Sequence, residues 1–208
     1  MRILVLFILI IMISCKQKDE SKFVNLKVLP EISVQEVEIP NVSMDKSEIV
    51  YDNKVSKWYF NNHLFSGYAV SYYPDSTLKE KIGVFKGKRE NLSQKWFPNG
   101  KLKEVANFRE GKLHGEKKLW VSDSIYTLVT QLNYQFGKVD GEQRMWYSTG
   151  ELYKVLNLNM GIEEGMQQAY RKNGELYANY EAKEGRIFGL KKSALCYGLE
   201  DENIKFER

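Results

Sequence analysis

The chain contains 208 residues and carries a formal charge of +4, from 31 Lys and Arg against 27 Asp and Glu. Because Lys and Glu alternate along the repeats, we infer a solvated surface of mixed charge rather than the concentrated basic face of a nucleic-acid-binding protein, and no nucleic-acid partner is expected. The length suits one ordinary domain with a buried core, and the aromatic content of 13% favours β-structure.

The N-terminal segment has the features of an export signal. Arg2 supplies a positive charge, and an unbroken apolar run follows from Ile3 to Ile13. This run has the length of a signal-peptide core and is about half of what a membrane-spanning helix needs. Residues 12–15, Met-Ile-Ser-Cys, resemble the bacterial lipobox, so residues 1–14 are predicted to be a lipoprotein signal peptide. A soluble secreted protein and an uncleaved anchor are the alternatives.

By that resemblance, Cys15 would carry diacylglycerol and a further acyl chain, and several acyl chains give durable membrane attachment. Residues 15–50 contain no glycine and are interrupted by Pro30 and Pro40, so they are predicted to form a flexible tether. The tract from Gln17 to Glu20 resembles a sorting signal for the outer face of the outer membrane, although it equally suits the start of a soluble linker. We expect an outer-membrane lipoprotein, with the periplasmic and extracellular faces both open as locations.

A unit of about 24 residues recurs five times and dominates the rest of the chain. Each unit opens on an aromatic residue, with steps of 24, 24, 26 and 24 residues: Tyr72, Trp96, Trp120, Trp146 and Tyr170. Each unit closes on a glycine: Gly87, Gly111, Gly137, Gly161 and Gly185. In the last four units a second glycine follows four residues later: Gly115, Gly141, Gly165 and Gly189. Such self-similarity is typical of linear arrays, and with a partial unit from Tyr51 to Gly67 the array is predicted to span residues 51–189.

Each unit is predicted to be a β-hairpin. Asn99–Gly100 lies between two strand-like segments, and an Asn-Gly pair favours a type I′ turn because both central residues need positive φ. Asn173–Gly174 repeats this signal. The two additional residues of the third unit fall in the same turn, between Val121 and Tyr126, where an insertion leaves the strands in register. The Gly-x-x-x-Gly segments are expected to serve the reversals between hairpins.

Alternate positions of the long strand of each unit are predicted to form the packed face of the sheet. The first column is all leucine: Leu78, Leu102, Leu128, Leu152 and Leu176. Two further columns are mostly apolar: Ile82, Ala106, Leu132, Leu156 and Tyr180, then Val84, Phe108, Tyr134, Leu158 and Ala182. The length of the turn decides on which face of the sheet the tryptophans lie. A two-residue turn pairs Phe97 with Leu102 and puts Trp96 on the polar face, opposite the packed one. A longer loop puts Trp96 on the packed face.

The spacing of aromatic, Asn-Gly, Leu, aromatic and Gly-x-x-x-Gly resembles the MORN-type repeat, and most closely its bacterial variant often labelled an antitoxin. Two stretches carry the resemblance: Trp96, Asn99, Gly100, Leu102, Phe108, Gly111 and Gly115, then Tyr170, Asn173, Gly174, Leu176, Tyr180, Gly185 and Gly189. The first unit departs from it at Asp75, Ser76 and Asn91. The resemblance implies an all-β fold, an elongated, twisted antiparallel sheet of stacked hairpins, with roles in membrane association and protein–protein contact.

No catalytic or metal-binding constellation stands out, and we expect no enzymatic activity, no metal and no cofactor. The histidines, His63 and His114, lie in different units without a Cys or His nearby in sequence. His114 is predicted to be a turn residue. Glu163 and Glu164 offer carboxylates, but acidic residues in turns are ordinarily solvated.

Five residues form the candidate binding surface: Trp146, Tyr153, Tyr177, Asn133 and Asn157. Aromatic and amide side chains that recur along one face suit a carbohydrate or an extended peptide. The alternative is that the tyrosines are cross-strand packing pairs and the asparagines serve turns or face water. The first functional hypothesis is a lipid-anchored scaffold for an unknown envelope protein, monomeric on its own. A glycan-binding module that takes a polysaccharide is the second.

Residues 190–208 are predicted to cap the open end of the sheet and form a tail. Cys196 has no evident partner once Cys15 is lipidated. It suits either a small buried residue or, in an exported protein, a reactive or intermolecular thiol.

Overall fold

The computed structural model describes residues 37–123, 125–190, 198–200 and 203–205. The predicted signal peptide, the lipidation site Cys15, the tether up to residue 36 and Cys196 lie outside the described residues. Most of the predicted C-terminal cap does so too, apart from one short hairpin.

The described residues form strands almost throughout, with a single 3-10 turn at Lys46–Glu48. The strands are β1 Ser43–Asp45, β2 Val50–Asp52, β3 Lys57–Phe60, β4 His63–Leu64, β5 Gly67–Tyr72, β6 Leu78–Phe85, β7 Lys88–Trp96, β8 Leu102–Arg109, β9 Lys112–Val121, β10 Thr127–Gln135, β11 Lys138–Val139, β12 Gly141–Trp146, β13 Leu152–Asn159, β14 Ile162–Glu163, β15 Gly165–Tyr170, β16 Leu176–Lys183, β17 Arg186–Leu190, β18 Gly198–Glu200 and β19 Asn203–Lys205.

One 14-stranded sheet contains the hairpin array, β5 to β17. Its strands follow one another in chain order and pair antiparallel, with β11 beside β10 and β14 beside β13. At the first edge β1 adds to β5 in parallel. Two small sheets, β2–β3–β4 and β18–β19, complete the described strands. The predicted all-β fold of consecutive antiparallel hairpins is confirmed.

The Asn-Gly turns are not of the predicted type. In the second unit the N–H of Gly100 donates to the carbonyl of Phe97 at 2.9 Å, and positive φ occurs at Gly100 (+76°) but not at Asn99. This pattern is a type I turn followed by one left-handed residue. Pro98 explains it, because its fixed φ suits the second position of a type I turn. Asn99 instead accepts the N–H of Lys101 through its side chain at 3.1 Å.

The type I′ turns lie at the closing glycines instead. Phe85 pairs with Lys88, and both residues between them have positive φ, +48° at Lys86 and +75° at Gly87. The same two-residue turn recurs in every unit, with positive φ at both positions: Glu110–Gly111, Phe136–Gly137, Met160–Gly161 and Glu184–Gly185. The first glycine of each Gly-x-x-x-Gly segment therefore makes the reversal, as predicted.

The second glycine of the segment makes a β-bulge. Gly115, Gly141 and Gly165 have positive φ, and Asn91 takes the same conformation in the first unit. The residue before the bulge accepts, through its side chain, the N–H of the next type I′ turn: Ser66 from Lys86, Glu90 from Glu110, His114 from Phe136 and Asp140 from Met160. His114 thus lies on β9, not in the turn as predicted, and holds the next turn from there. The same bond recurs at four turns, whereas Glu164 in the fifth unit accepts from Asn159 instead.

The opening aromatic of each unit faces the first leucine of the following strand. The pairs are Tyr72–Leu78, Trp96–Leu102, Trp120–Leu128, Trp146–Leu152 and Tyr170–Leu176. The turn is therefore longer than two residues, and Trp96 rather than Phe97 pairs with Leu102. In the third unit the two additional residues lie between the ends of β9 and β10, as predicted.

Burial is uneven across the predicted packed face. Ile82, Val84 and Ala106 are almost fully buried, and Tyr180 and Ala182 are also buried. The leucine column is only half-buried, and Leu176 is 39% exposed. The two columns in the middle of the long strand, rather than the leucines at its start, therefore contain the interior of the array.

Residues 37–66 form an N-terminal cap on the first hairpins. Ile49, Trp58 and Phe65 are buried against Ile82 and Val84 and form the main apolar cluster. The cap is fixed by backbone hydrogen bonds, from Trp58 N–H to Gly87 C=O and from Gly87 N–H to Phe65 C=O.

The tether prediction is wrong for residues 37–50. Ile39 and Ile49 are buried, and β1 pairs with β5 inside this range. Gly83 permits the approach of the chain, because a Cβ there would lie 2.7 Å from Ile39 Cδ1. The absence of glycine and the presence of Pro40 suggested a linker, but the apolar residues of this stretch cover the first unit.

Candidate functional site

The two asparagines of the predicted binding surface are used by the sheet itself. Asn133 Nδ2 donates to the carbonyl of Glu142 at 2.6 Å, and Asn157 Nδ2 donates to that of Met166 at 2.6 Å. Asn107 repeats the bond more weakly to Glu116 at 3.4 Å. In each case the acceptor lies just after the bulge, where the backbone ladder is interrupted. These amides therefore replace missing ladder bonds, which limits what they offer to a ligand.

Two buried glutamines complete the same feature. Gln143 and Gln167 are 1% and 0% exposed. Gln143 Oε1 accepts the backbone N–H of Asn133 at 2.8 Å while its Nε2 donates to the Asn133 carbonyl at 3.2 Å. Gln167 does the same at Asn157, at 3.1 and 2.6 Å. A buried side-chain amide thus pairs with the opposite strand as a peptide group would, which satisfies the polar atoms of the bulge.

The two predicted tyrosines do come together. Tyr153 and Tyr177 lie close together on neighbouring hairpins, and burial together with the neighbouring Tyr153 raises the pKa of Tyr177. The ring of Tyr153 lies 5.0 Å from that of Tyr147, and Lys154 Nζ lies 4.8 Å from the Tyr153 ring centre. All three tyrosines are half-buried. They form a packed group that leaves part of each ring accessible.

The remaining predicted residues do not join that group. Trp146 is half-buried and pairs with Leu152. Asn157 lies four residues beyond Tyr153 on β13, a separation of roughly 13 Å along a strand. The predicted surface is therefore divided into a tyrosine group and a row of structural amides.

Other side chains considered for chemistry have structural partners. Both carboxylate oxygens of Glu163 accept the hydroxyl of Tyr180 at 3.0 Å, and Glu164 accepts from Asn159 at 2.6 Å. His63 is exposed, and its Nδ1 lies 2.8 Å from the carbonyl of Asn61. Within the described residues, no group of three or more His, Cys, Asp or Glu is placed to hold a metal ion. That part of the chain also contains no helix long and apolar enough to cross a membrane.

The structure shows a different concave site, where the N-terminal cap meets the first two hairpins. One cleft of about 550 Å³ is walled by aromatic and apolar side chains and has a cationic margin; its main residues are Tyr51, Val55, Trp58, Phe108, Lys88, Arg89 and Lys112. A second of about 460 Å³ adjoins it and includes Val37, Lys57, Leu64, Phe85, Lys86 and Arg109. Lys88 and Glu110 line both clefts. We call the two clefts together the basic groove.

The walls of the basic groove are held by backbone bonds. Gly111 N–H donates to the carbonyl of Arg89 at 2.8 Å, which joins the second type I′ turn to the start of β7. The Arg89 guanidinium lies 5.1 Å from the ring centre of Phe108 and 5.9 Å from that of Trp58. It therefore bridges the array and the cap, with its charge held over two aromatic rings.

Positive charge is concentrated in the sequence segment that supplies five of the six cations of this groove. Residues 78–118 contain twelve Lys and Arg and five Asp and Glu, a net charge of +7, whereas residues 138–190 contain seven and eight, a net charge of −1. The interpretation of an evenly mixed surface is therefore wrong for the first units. A count of charge by segment would have revealed this difference. The groove itself could not have been found in this way, because the cap that forms one wall was assigned to the tether.

Searches of protein-family models, curated proteins and solved structures found no match to this chain.

Proposed function

We propose that the protein is a non-enzymatic, lipid-anchored protein of the bacterial outer membrane whose hairpin array serves as a scaffold for a partner protein. The observation that carries the proposal is the basic groove, a concave site with aromatic walls on a rigid sheet. Sites of this size and composition are typical binding sites. The lipobox-like sequence before Cys15 and the resemblance to MORN-type repeats support the attachment and the scaffold role.

Exposed apolar side chains give the proposal a second support. Val55, which lines the groove, is 52% exposed. Leu64 and Tyr51, which line the groove, are each 43% exposed. Apolar side chains gathered around a concave site are a common mark of a protein contact surface.

The test combines location with contact. A photo-crosslinking amino acid is placed in turn at Val55, at Leu64 and, as a control away from the groove, at Asn173, in the full-length protein in living cells. Val55 and Leu64 should yield one discrete adduct with another envelope protein. The absence of any adduct from all three positions would overturn the scaffold proposal.

Anchoring is tested on the same cells. A protease added to intact cells should remove the array if it lies outside, and should act only after the envelope is opened if it lies in the periplasm. The Cys15→Ala variant should leave the membrane fraction. Retention of that variant in the membrane would contradict the lipid anchor.

The packed tyrosine group favours a second candidate, a glycan-binding surface. Tyr147, Tyr153 and Tyr177 lie side by side on neighbouring hairpins with part of each ring accessible, which suits contact with sugar rings. Affinity for envelope polysaccharide that is lost in both Tyr153→Ala and Tyr177→Ala would support this candidate. Wild-type affinity in both variants would exclude that surface.

A further inference from the structure

We infer that the basic groove binds an extended, acidic segment of the partner protein, which inserts one apolar side chain beside Trp58 and Phe108. The inference rests on the proposed scaffold function and states the chemistry of the partner.

The charge of the groove is the first argument. Six cations line its two clefts: Lys57, Lys86, Lys88, Arg89, Arg109 and Lys112. The acidic residues in the same lining are Glu90 and Glu110. Glu90 is 6% exposed and accepts the backbone N–H of Glu110 at 2.8 Å, so this carboxylate is already engaged.

Among the described residues, no acidic side chain forms an ion pair with any of the six groove cations. The ion pairs in this part of the chain join other side chains, such as Lys46 with Glu80 and Lys95 with Glu104. An excess of cations without a carboxylate partner on a concave surface attracts a segment of opposite charge and orients it as it binds.

The aromatic cleft is the second argument. Its 550 Å³ and its walls of Tyr51, Trp58 and Phe108 can enclose an apolar side chain. An anchor residue in a pocket, surrounded by charged contacts at the margin, is a common arrangement of protein interfaces. An acidic segment with a single Leu or Phe meets both requirements of the groove.

The packing of the rings favours a peptide over an anionic polysaccharide. Sugars contact aromatic residues through open ring faces. Trp58 is only 6% exposed, with Tyr51 5.0 Å from it and Lys46 and Arg89 each 5.9 Å from its ring centre. Arg89 also lies over Phe108. The groove thus offers cations and a side-chain pocket rather than a stacking platform.

The test uses the full-length protein in neutral detergent and a fluorescent synthetic peptide of Glu residues with one central Leu, followed by anisotropy. Control peptides replace every Glu by Gln or the Leu by Gly. We expect Arg89→Gln/Lys112→Gln to weaken binding by about tenfold or more. Lys101→Gln/Lys172→Gln, the same change of charge at or beside the type I turns, should bind as wild type. Both variants are checked for an unchanged thermal unfolding transition.

Three results would overturn the inference. These are no binding of the acidic peptide by the wild type, equal loss of binding in the two double variants, and equal binding of the Leu and Gly peptides. Polygalacturonate that binds more tightly than the peptide and is released by Arg89→Gln/Lys112→Gln would assign the groove to a glycan instead.

The crosslinking experiment separates this inference from the proposed function. A partner adduct that persists unchanged in Arg89→Gln/Lys112→Gln would refute the acidic-segment inference while the scaffold function stands. A partner adduct that is lost in this variant and kept in Lys101→Gln/Lys172→Gln would support both.

Discussion

The first and last units of the array share a backbone but fill their interiors differently. Near the cap, Ile82 and Val84 pack against Trp58 and Phe65 in an apolar cluster. In the fourth and fifth hairpins, polar side chains join the interior: Gln143 and Gln167 are as fully buried as Ile82, and their amides bond the opposite strand, although Tyr180 and Ala182 stay buried in the fifth. The interior of a bulged hairpin can therefore be filled by apolar side chains or by amides that hydrogen-bond to the backbone. Where the cap covers the sheet, buried apolar side chains are stabilising. Where the described residues include no such layer, buried amides form hydrogen bonds with the backbone N–H and C=O groups.

The largest effect is expected in the apolar cluster. Ile82→Ala should lower the free energy of unfolding by about 2 to 5 kcal/mol, because Ile82 is fully buried and truncation leaves a cavity. Ile162→Ala is the control, since Ile162 is 69% exposed, and its change should be close to zero. Denaturant unfolding of both variants measures the difference. Equal losses would mean that the cap does not shield the first unit.

The half-buried leucine column predicts a smaller loss. Leu152→Ala should cost about 1 kcal/mol, because much of the side chain stays in contact with water in the wild type. A loss as large as that of Ile82→Ala would mean that Leu152, rather than Gln143, is the buried residue of the fourth unit.

The hydrogen-bonded interior is tested by Gln167→Leu. The loss of the amide leaves the N–H and carbonyl of Asn157 without their side-chain partner, which should cost about 1 to 3 kcal/mol. The neighbouring Gln168→Leu is the matched control and should cost less, because Gln168 has one long bond to Asn179 at 3.4 Å. Stability equal to wild type in Gln167→Leu would mean that the buried amide contributes nothing.

The type I′ turns predict a gain in stability. Met160 has a φ of +50°, a conformation that Asn adopts more readily than Met. Met160→Asn should therefore raise the free energy of unfolding by about 0.5 to 1 kcal/mol. Ser148→Asn places the same residue in a type I turn and should change little. A loss in Met160→Asn would contradict the turn assignment.

The smallest effect is confined to alkaline pH. Burial raises the pKa of Tyr180, and its hydrogen bond to Glu163 adds to the shift. The stability that follows is complete below about pH 10, where an unfolded tyrosine is neutral, and is lost as the pH rises through the folded pKa. Tyr126, Tyr134 and Tyr177 also have raised pKa values, so thermal unfolding of Tyr180→Phe should show a smaller alkaline loss than the wild type. Tyr72→Phe, which removes the hydroxyl of an exposed residue, should retain the full loss.

The period of the repeat predicted the strand order correctly, because consecutive hairpins with short turns can pair only with their neighbours. The turn types were predicted wrongly: the Asn-Gly pairs lie in type I turns, and the type I′ turns lie at the closing glycines. Pro98 and the closing glycines indicate this better than the Asn-Gly pairs do. The burial of Gln143 could not be predicted, because a glutamine on a strand ordinarily faces water, and only the bulge supplies it with partners.

The candidate site shows which contacts the repeat pattern does not predict. Tyr153 and Tyr177 lie close together, as their spacing of one 24-residue unit predicts. The role of Asn133 depends on a bulge in the partner strand, which the periodicity does not show. The basic groove depends on contacts between the cap and hairpins distant from it in sequence, such as that of Trp58 with Arg89, and no local pattern indicates them.

The bond from a bulge to the next turn, which recurs at four of the five turns, makes the units that share it interchangeable. Asp140 bonds Met160 in the same way as Glu90 bonds Glu110, although the side chains differ. A duplicated unit would bring both its own acceptor and its own turn, so gene duplication can change the number of hairpins without altering either neighbour. Each added copy lengthens the sheet by about 9.6 Å, two interstrand spacings. The distance between the basic groove and the far end of the sheet can thus change during evolution while the groove stays the same.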